Sequence, residues 1–194
     1  MKGINIFLAD GFEDIEALAV NDVLRRAGLR VNLVAISDEP FVVSSHGVTI
    51  GVEDYFSEWD GNHSGTGPKD FMIFPGGMPG SKNLAACKAL IAAMREHYAA
   101  GGSLAAICAA PGLVLSQLDV PEGLEFTCFD GFQDALIAEG ATFHDVPAVS
   151  CGRIVTGRSA GNAVAFGLAI LEHIKGKDEM EKVKAAMFPG GWKQ

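Results

Sequence analysis

The chain has 194 residues, of which 48% are apolar and 20% charged, and its net charge is −9. This length and composition predict one globular domain over residues 1–194, because such a chain can bury a sizeable core. The acidic balance, without a basic run, disfavours nucleic acid and anionic membranes as partners. No apolar run approaches the ~18 residues of a membrane span, and the chain opens on a strand-like segment rather than a secretion signal.

The first half of the chain alternates strand-like and helix-like segments. Residues 4–9 form an apolar run typical of a buried strand, and residues 13–27 predict a helix. On that helix Glu16 shares a face with Val20 and Val23. Two interpretations of Glu16 stay open: a solvated acid that suits the helix dipole, or a half-buried carboxyl with a raised pKa.

The next segments predict a second strand over 30–36 and a hairpin over 42–52. A polar, glycine-rich stretch at 60–69 predicts an exposed loop in which His63 is solvated. Residues 71–74 then predict a third, buried strand.

A glycine-rich turn follows at residues 75–81 (PGGMPGS), and helical residues continue from about 84 to 100. Such turns hold anions through backbone N–H groups, although a plain tight turn explains the composition equally well. Neither GxGxxG nor GxxxxGK[ST] is present, so the nucleotide fingerprint is not met.

Residues 103–115 (SLAAICAAPGLVL) predict a buried strand that turns at Cys108 into a helix reaching about Gln117. The small residues Ala106 and Ala110 flank Cys108 at the spacing that a tight strand-to-helix elbow needs. Helix N-terminal N–H groups beside the sulfur favour the thiolate. The alternative is a free cysteine that packs as a small hydrophobe.

The last part of the chain predicts short strands, a short helix and two longer helices. The short strands are expected at 126–129, 141–143, 148–151 and 153–156, with the short helix at 132–138. Ser159 is a candidate cap for a buried helix that runs through Ile174. An amphipathic helix is expected over 177–187.

This alternation predicts an α/β fold with a mostly parallel sheet and helices on both faces. Sites in such sheets lie beyond the carboxyl ends of the strands. Three of those ends are marked here, by the acidic segment 10–16, by the glycine-rich turn 76–80 and by Cys108. We therefore expect an acid, a set of backbone N–H groups and a thiol to meet.

The four cysteines are far apart in the chain, at Cys87, Cys108, Cys128 and Cys151. Because no CxxC pair exists, the sequence predicts no zinc site and no thioredoxin-like motif. Without an export signal, reduced thiols and a cytoplasmic location are expected.

Five segments together resemble a known family. They are residues 11–16 (GFEDIE), 22–28 (DVLRRAG), 75–77 (PGG), 105–111 (AAICAAP) and 156–161 (TGRSAG). On these the chain resembles the ThiJ/PfpI superfamily, in its DJ-one-like branch. The resemblance implies a flavodoxin-like three-layer sandwich with a class I glutamine amidotransferase-like elbow, no cofactor, no metal, and a homodimer.

The resemblance also implies roles for single residues. Cys108 matches the family's reactive, easily oxidised cysteine, and Glu16 matches the protonated carboxyl that hydrogen-bonds its sulfur. Gly77 and Ala109 match the positions whose backbone N–H groups form an oxyanion hole. With Gly76 from the same turn, they make the expected substrate-binding set.

Several positions depart from the family pattern or concern its dimer. Ala109 stands where the protease-like branch has His, which argues against peptidase chemistry. Cys128 stands where the human-type branch has His, so no Cys–His dyad is expected, and Cys128 is either a resolving thiol or a buried filler.

His46 stands where the family tends to have Arg. Glu13 and Arg26 match a pair near the family's dimer contact.

Two functions follow as expectations. In the first, the Cys108 thiolate adds to a small α-oxoaldehyde such as methylglyoxal, or to a glycated substrate, in a stress-protective glyoxalase or deglycase. In the second, the protein is a non-catalytic redox sensor in which Glu16 stabilises a Cys108 sulfinate.

Overall fold

The computed structural model describes residues 1–191. Its strands are β1 (Ile4–Leu8), β2 (Val31–Ala35), β3 (Phe41–Val43), β4 (Thr49–Gly51), β5 (Asp54–Tyr55), β6 (Phe71–Phe74), β7 (Ser103–Ile107), β8 (Glu125–Phe126), β9 (Thr142–Phe143), β10 (Ala148–Cys151) and β11 (Ile154–Gly157). Seven of them form one sheet in the order β10-β11-β7-β6-β1-β2-β5. Every pair in that sheet is parallel except β10 with β11.

The helices are α1 (Asp14–Arg26), α2 (Gly80–Ala86), α3 (Lys88–Ala99), α4 (Ala110–Leu113), α5 (Asp134–Ala138), α6 (Ala163–Lys175) and α7 (Lys177–Met187). Alternate strand residues face opposite sides of the sheet. Ile6 therefore packs with α1, α6 and α7, whereas Phe7 packs with α2 to α5. These three layers confirm the predicted α/β sandwich. No helix within residues 1–191 is long and apolar enough to cross a membrane.

Some predicted boundaries were wrong. The helix expected over 84–100 starts at Gly80 and is broken at Cys87, whose ψ of 89° is not helical. The helix after the elbow is a short α4 followed by a 3-10 turn at Leu115–Gln117. The strand expected over 126–129 is β8, and the helix expected over 132–138 begins at Asp134.

The predictions for two side chains, Ser159 and His63, were also wrong. The Ser159 hydroxyl makes no helix cap; it donates to Oδ1 of Asn162 at 2.8 Å. His63 is not solvated, since its side chain is 12% exposed and its ring packs edge-on against Trp59, 4.8 Å between centroids. A polar loop composition does not reveal that one of its side chains folds back.

Candidate active site

Cys108 lies at the elbow between β7 and α4. Its φ of +64° is the one positive φ outside glycine within residues 1–191. Backbone bonds on both sides hold it: its N–H donates to the carbonyl of Gly157 at 3.0 Å, and its carbonyl accepts from Phe129 at 2.9 Å. A left-handed non-glycine residue costs about 1–2 kcal/mol and persists where the surroundings over-determine it. The predicted elbow is confirmed.

Glu16 lies on the inward face of α1 and is 1% exposed, beside the fully buried Val20 and Val23. The solvated interpretation is therefore wrong and the buried one confirmed. One carboxyl oxygen, Oε2, accepts the backbone N–H of Gly76 at 2.7 Å. The carboxyl also hydrogen-bonds the Cys108 sulfur.

Gly76 is the residue that lets the acid and the thiol meet. A Cβ there would lie 2.4 Å from Oε2 of Glu16 and 2.6 Å from the Cβ of Cys108, so only glycine fits. Its backbone N–H already donates a hydrogen bond to Glu16. Gly76 therefore positions Glu16 and has no free N–H for a substrate oxyanion, contrary to expectation.

The other two expected donors do converge on the sulfur. The backbone N–H groups of Gly77 and Ala109 both hydrogen-bond Cys108. Gly77 has a φ of +89°, and a Cβ on it would meet the backbone of Glu13 at 2.4 Å. The turn after β6 and the start of α4 thus bring two N–H groups to one point.

The protonation states of the pair are linked. Burial raises the pKa of Glu16 to about 7, against the opposing hydrogen bonds from Cys108 and Gly76. Burial, and then the charge of Glu16, raises the pKa of Cys108 to about 12 while that carboxyl is ionised. The N–H groups beside the sulfur do lower the pKa of Cys108, as predicted, but burial and the charge of Glu16 outweigh them.

A cleft of about 450 Å³ opens above the sulfur. Its lining residues are Glu13, Glu16, Gly77, Met78, Cys108, Ala109, Phe129, Phe132, Ser159, Ala160 and Gly161. Sequence reasoning missed its apolar walls, Met78, Phe129 and Phe132. The only signal for them was that Met78 lies in the glycine-rich turn and Phe129 directly follows Cys128.

No histidine is among the residues that line this cleft in the described chain. His97 is fully buried, its Nε2 lies 3.1 Å from the Asp70 carbonyl, and burial lowers its pKa to about 4. Cys128 is fully buried and its sulfur donates to the carbonyl of Phe129, which favours a filler over a resolving thiol.

Within a single chain, Glu13 and Arg26, the positions that the resemblance linked to the dimer, have other partners. Arg26 pairs with Asp22 at 2.6 Å. Glu13 lies instead beside His46, whose Nδ1 is 3.6 Å from its Oε1 and 2.6 Å from Oδ2 of Asp14.

Comparison with known proteins identifies the same family that the five sequence segments resemble. The sequence profile of the DJ-1/PfpI family matches residues 2–173. The chain belongs to the DJ-1/PfpI family. A solved structure of oxidised DJ-1 from Toxoplasma gondii has a TM-score of 0.84 at 28% identity, over 96% of this chain and 98% of that one.

Two family members show the range of the relatives. The chain is 31% identical to protein DJ-1 homolog A of Arabidopsis thaliana over 96% of its length but only 46% of the relative's, so it spans about half of that protein. It is 32% identical to a Caenorhabditis elegans protein named glutathione-independent glyoxalase DJR-1.2, over 86% of this chain and 85% of that one. As a DJ-1/PfpI protein the chain thus has a relative named as an enzyme.

Proposed function

We propose that the protein is a cofactor-independent, stress-protective enzyme of the glyoxalase type, which converts α-oxoaldehydes such as methylglyoxal into 2-hydroxy acids. The observation that carries this proposal is the contact between the Glu16 carboxyl and the Cys108 sulfur, beside two N–H donors at the floor of an open cleft. The relative named as a glutathione-independent glyoxalase supports it.

In the first step Glu16 acts as a base. Its carboxylate accepts the proton of the thiol while the sulfur attacks the aldehyde carbon and an S–C bond forms. The π electrons move to the aldehyde oxygen, which the N–H groups of Gly77 and Ala109 stabilise. Glu16 returns the proton to that oxygen, and the product is a hemithioacetal.

The second step is a proton transfer within the substrate. Glu16 takes the proton from the former aldehyde carbon, and the electron pair left behind forms an enediolate with the neighbouring carbonyl. Glu16 then returns that proton to the neighbouring carbon, while the hydroxyl proton on the former aldehyde carbon passes to the neighbouring oxygen. This gives the thioester of a 2-hydroxy acid on Cys108. Water then cleaves the thioester and restores the thiol, so the sum is substrate plus water to hydroxy acid, with no external oxidant. A pKa of about 7 suits a group that must both take and give a proton.

The test is lactate formation from methylglyoxal without glutathione. Cys108→Ala and Glu16→Ala should each lower the rate at least about 100-fold, the usual scale for a nucleophile or a general base. A wild-type rate no higher than that of Cys108→Ala would refute the proposal. Glycated amines, which carry the same masked carbonyl, are the second substrate to assay.

A redox role for Cys108 is the second candidate. The Glu16 carboxyl, when protonated, and the two N–H groups offer hydrogen-bond donors to the oxygens of a sulfinate. A relative solved in an oxidised form is consistent with this. Mild peroxide followed by mass spectrometry should add two oxygens selectively at Cys108; equal oxidation of all four cysteines would contradict it.

We propose that the protein acts as a homodimer in the cytoplasm. Support for the dimer comes from two exposed apolar side chains, Ile15 at 54% and Val48 at 46%, one on α1 and one on the β3–β4 hairpin. Contacts between His46 and Asp14 hold these two segments together. The cytoplasm is the compartment in which free thiols are normally kept reduced.

A further inference from the structure

The cleft above Cys108 exposes apolar side chains to solvent. Met78 is 41% and Phe129 45% exposed, and both line the cleft with the half-buried Phe132. Contiguous exposed apolar surface in a concave site is typical of a binding surface. These side chains carry no group that takes part in the proposed steps at the aldehyde carbon, so they are available to contact the rest of a substrate.

The aromatic wall is held by the same backbone that holds the nucleophile. The N–H of Phe129 donates to the carbonyl of Cys108 at 2.9 Å, and the N–H of Phe132 donates to the carbonyl of Phe129 at 3.2 Å. On the far side, a Cβ on Gly112 of α4 would lie 2.0 Å from the Phe132 carbonyl oxygen. The wall therefore has a fixed position relative to the sulfur.

The charged residues that line the cleft are acidic. Glu13 and Glu16 are its only charged lining residues in the described chain. The neighbouring cation, Arg158, is turned away, because it pairs with Asp130 and Asp145 and donates to the carbonyl of Cys128. An anionic substituent would find no cation among the residues of this chain that line the cleft. His46 lies beside Glu13 but also pairs with Asp14, so these three side chains together stay acidic even when His46 is protonated.

We infer that the cleft selects uncharged 2-oxoaldehydes with an apolar, and above all aromatic, substituent, and discriminates against those that carry a carboxylate. The dicarbonyl head lies at Cys108 and the substituent lies against Phe129 and Met78. This inference rests on the proposed function, since it names the substrate class of the same site.

The first test compares kcat/KM for phenylglyoxal, methylglyoxal and 4-carboxyphenylglyoxal. The last is matched to phenylglyoxal in shape and differs in charge. We expect kcat/KM for phenylglyoxal to exceed that for the carboxylated analogue at least about 10-fold, because the carboxylate would lose water without gaining a cation. It should also exceed that for methylglyoxal, since even one methylene in an apolar pocket is worth roughly 10–200-fold. Phe129→Ala should lower the phenylglyoxal to methylglyoxal ratio. Equal kcat/KM for the matched pair would overturn the inference while leaving the proposed function intact.

The second test needs no turnover. Iodoacetamide and iodoacetate both alkylate a thiol with loss of iodide, and they differ in charge. Peptide mass spectrometry gives the rate of Cys108 alkylation by each reagent, and the ratio of the two rates is normalised to the ratio for free glutathione. We expect iodoacetate to react about 10-fold more slowly than iodoacetamide after this normalisation. Glu13→Gln should reduce this bias, and Glu181→Gln, an exposed acid on α7, should not. A normalised ratio near one would contradict the inference. Bias without turnover of any aldehyde would instead refute the proposed function.

Discussion

Cys108 and Glu16 each sit in a state that neither would adopt alone. Cys108 has a left-handed backbone, and Glu16 is a carboxyl with almost no exposure to water. The cost of each is met by a specific neighbour: backbone bonds from Gly157 and Phe129 fix the elbow, and the Gly76 N–H satisfies one carboxyl oxygen. The other oxygen, Oε1, is buried and has no hydrogen-bond partner among residues 1–191.

The buried acid should make stability depend on pH. Since the folded pKa of Glu16 is raised from 4.5 to about 7, its contribution is fully present below pH 4.5 and is lost as pH rises through 7. Between pH 5 and pH 8 the wild type should therefore lose about 2 kcal/mol relative to Glu16→Gln. Urea unfolding of both proteins at the two pH values measures this difference. Parallel pH curves would contradict it.

Gly76→Ala tests the close approach of acid and thiol. The added Cβ would overlap Glu16 and Cys108, so the carboxyl must move away from the sulfur. We expect a loss of about 1–3 kcal/mol in unfolding free energy and a large loss of turnover. The same substitution at Gly51, where the nearest atom to a new Cβ is 4.0 Å away, is the control and should leave turnover unchanged.

At the scale of the elements, the site depends on how closely α1 packs against α6. Gly167 of α6 allows this approach, because a Cβ on it would lie 3.2 Å from the Cβ of Val23 and 3.4 Å from the backbone of Val20. Both valines share the face of α1 that carries Glu16. The position of the acid is therefore set by a helix contact far from the thiol in sequence.

Gly167→Leu should push α1 outward. Overpacking is expected to cost about 1–3 kcal/mol, which exceeds the gain of up to about 1 kcal/mol in helix propensity. Chemical unfolding measures the stability, and the pH profile of Cys108 alkylation reports on Glu16. Gly51→Leu, in the exposed hairpin, controls for the added side chain. Unchanged stability and an unchanged profile would show that this contact does not position the acid.

The order of these elements was visible in the sequence, but several of their ends were not. Strands such as β1 and β6 are continuous apolar runs, and their shortness and composition are typical of buried strands. The break at Cys87 and the shortness of α4 depend on tertiary packing, which local propensity does not encode. The exposure of Phe129 also depends on tertiary structure, because its backbone N–H is bonded to the carbonyl of Cys108.

For the whole molecule, the site could be located from sequence because parallel strands share one carboxyl edge. The strand ends and the family resemblance together predict Cys108, Glu16 and Gly77 from the sequence. What sequence could not give was the use of the Gly76 N–H by Glu16, or the high pKa of the Cys108 thiol. Both depend on distances of a few ångströms between segments far apart in the chain.

The proposed dimer is tested at this scale. Ile15→Glu places a charge at one of the two exposed apolar side chains that support the dimer, and should convert a dimer into a monomer in sedimentation velocity. Ile137→Glu, at an apolar side chain on α5 that is 46% exposed, should leave the mass unchanged. A wild-type protein that sediments as a monomer at micromolar concentration would contradict the proposal.

Glu16→Gln, assayed for both turnover and thiol reactivity, tests the central claim most directly. Gln keeps the shape but can neither take nor give the proton, so lactate formation from methylglyoxal should fall at least about 100-fold. Removing the carboxylate charge should at the same time lower the pKa of Cys108, so its alkylation profile shifts to lower pH. Lactate formation within a few-fold of wild type, or an unshifted profile, would contradict the account.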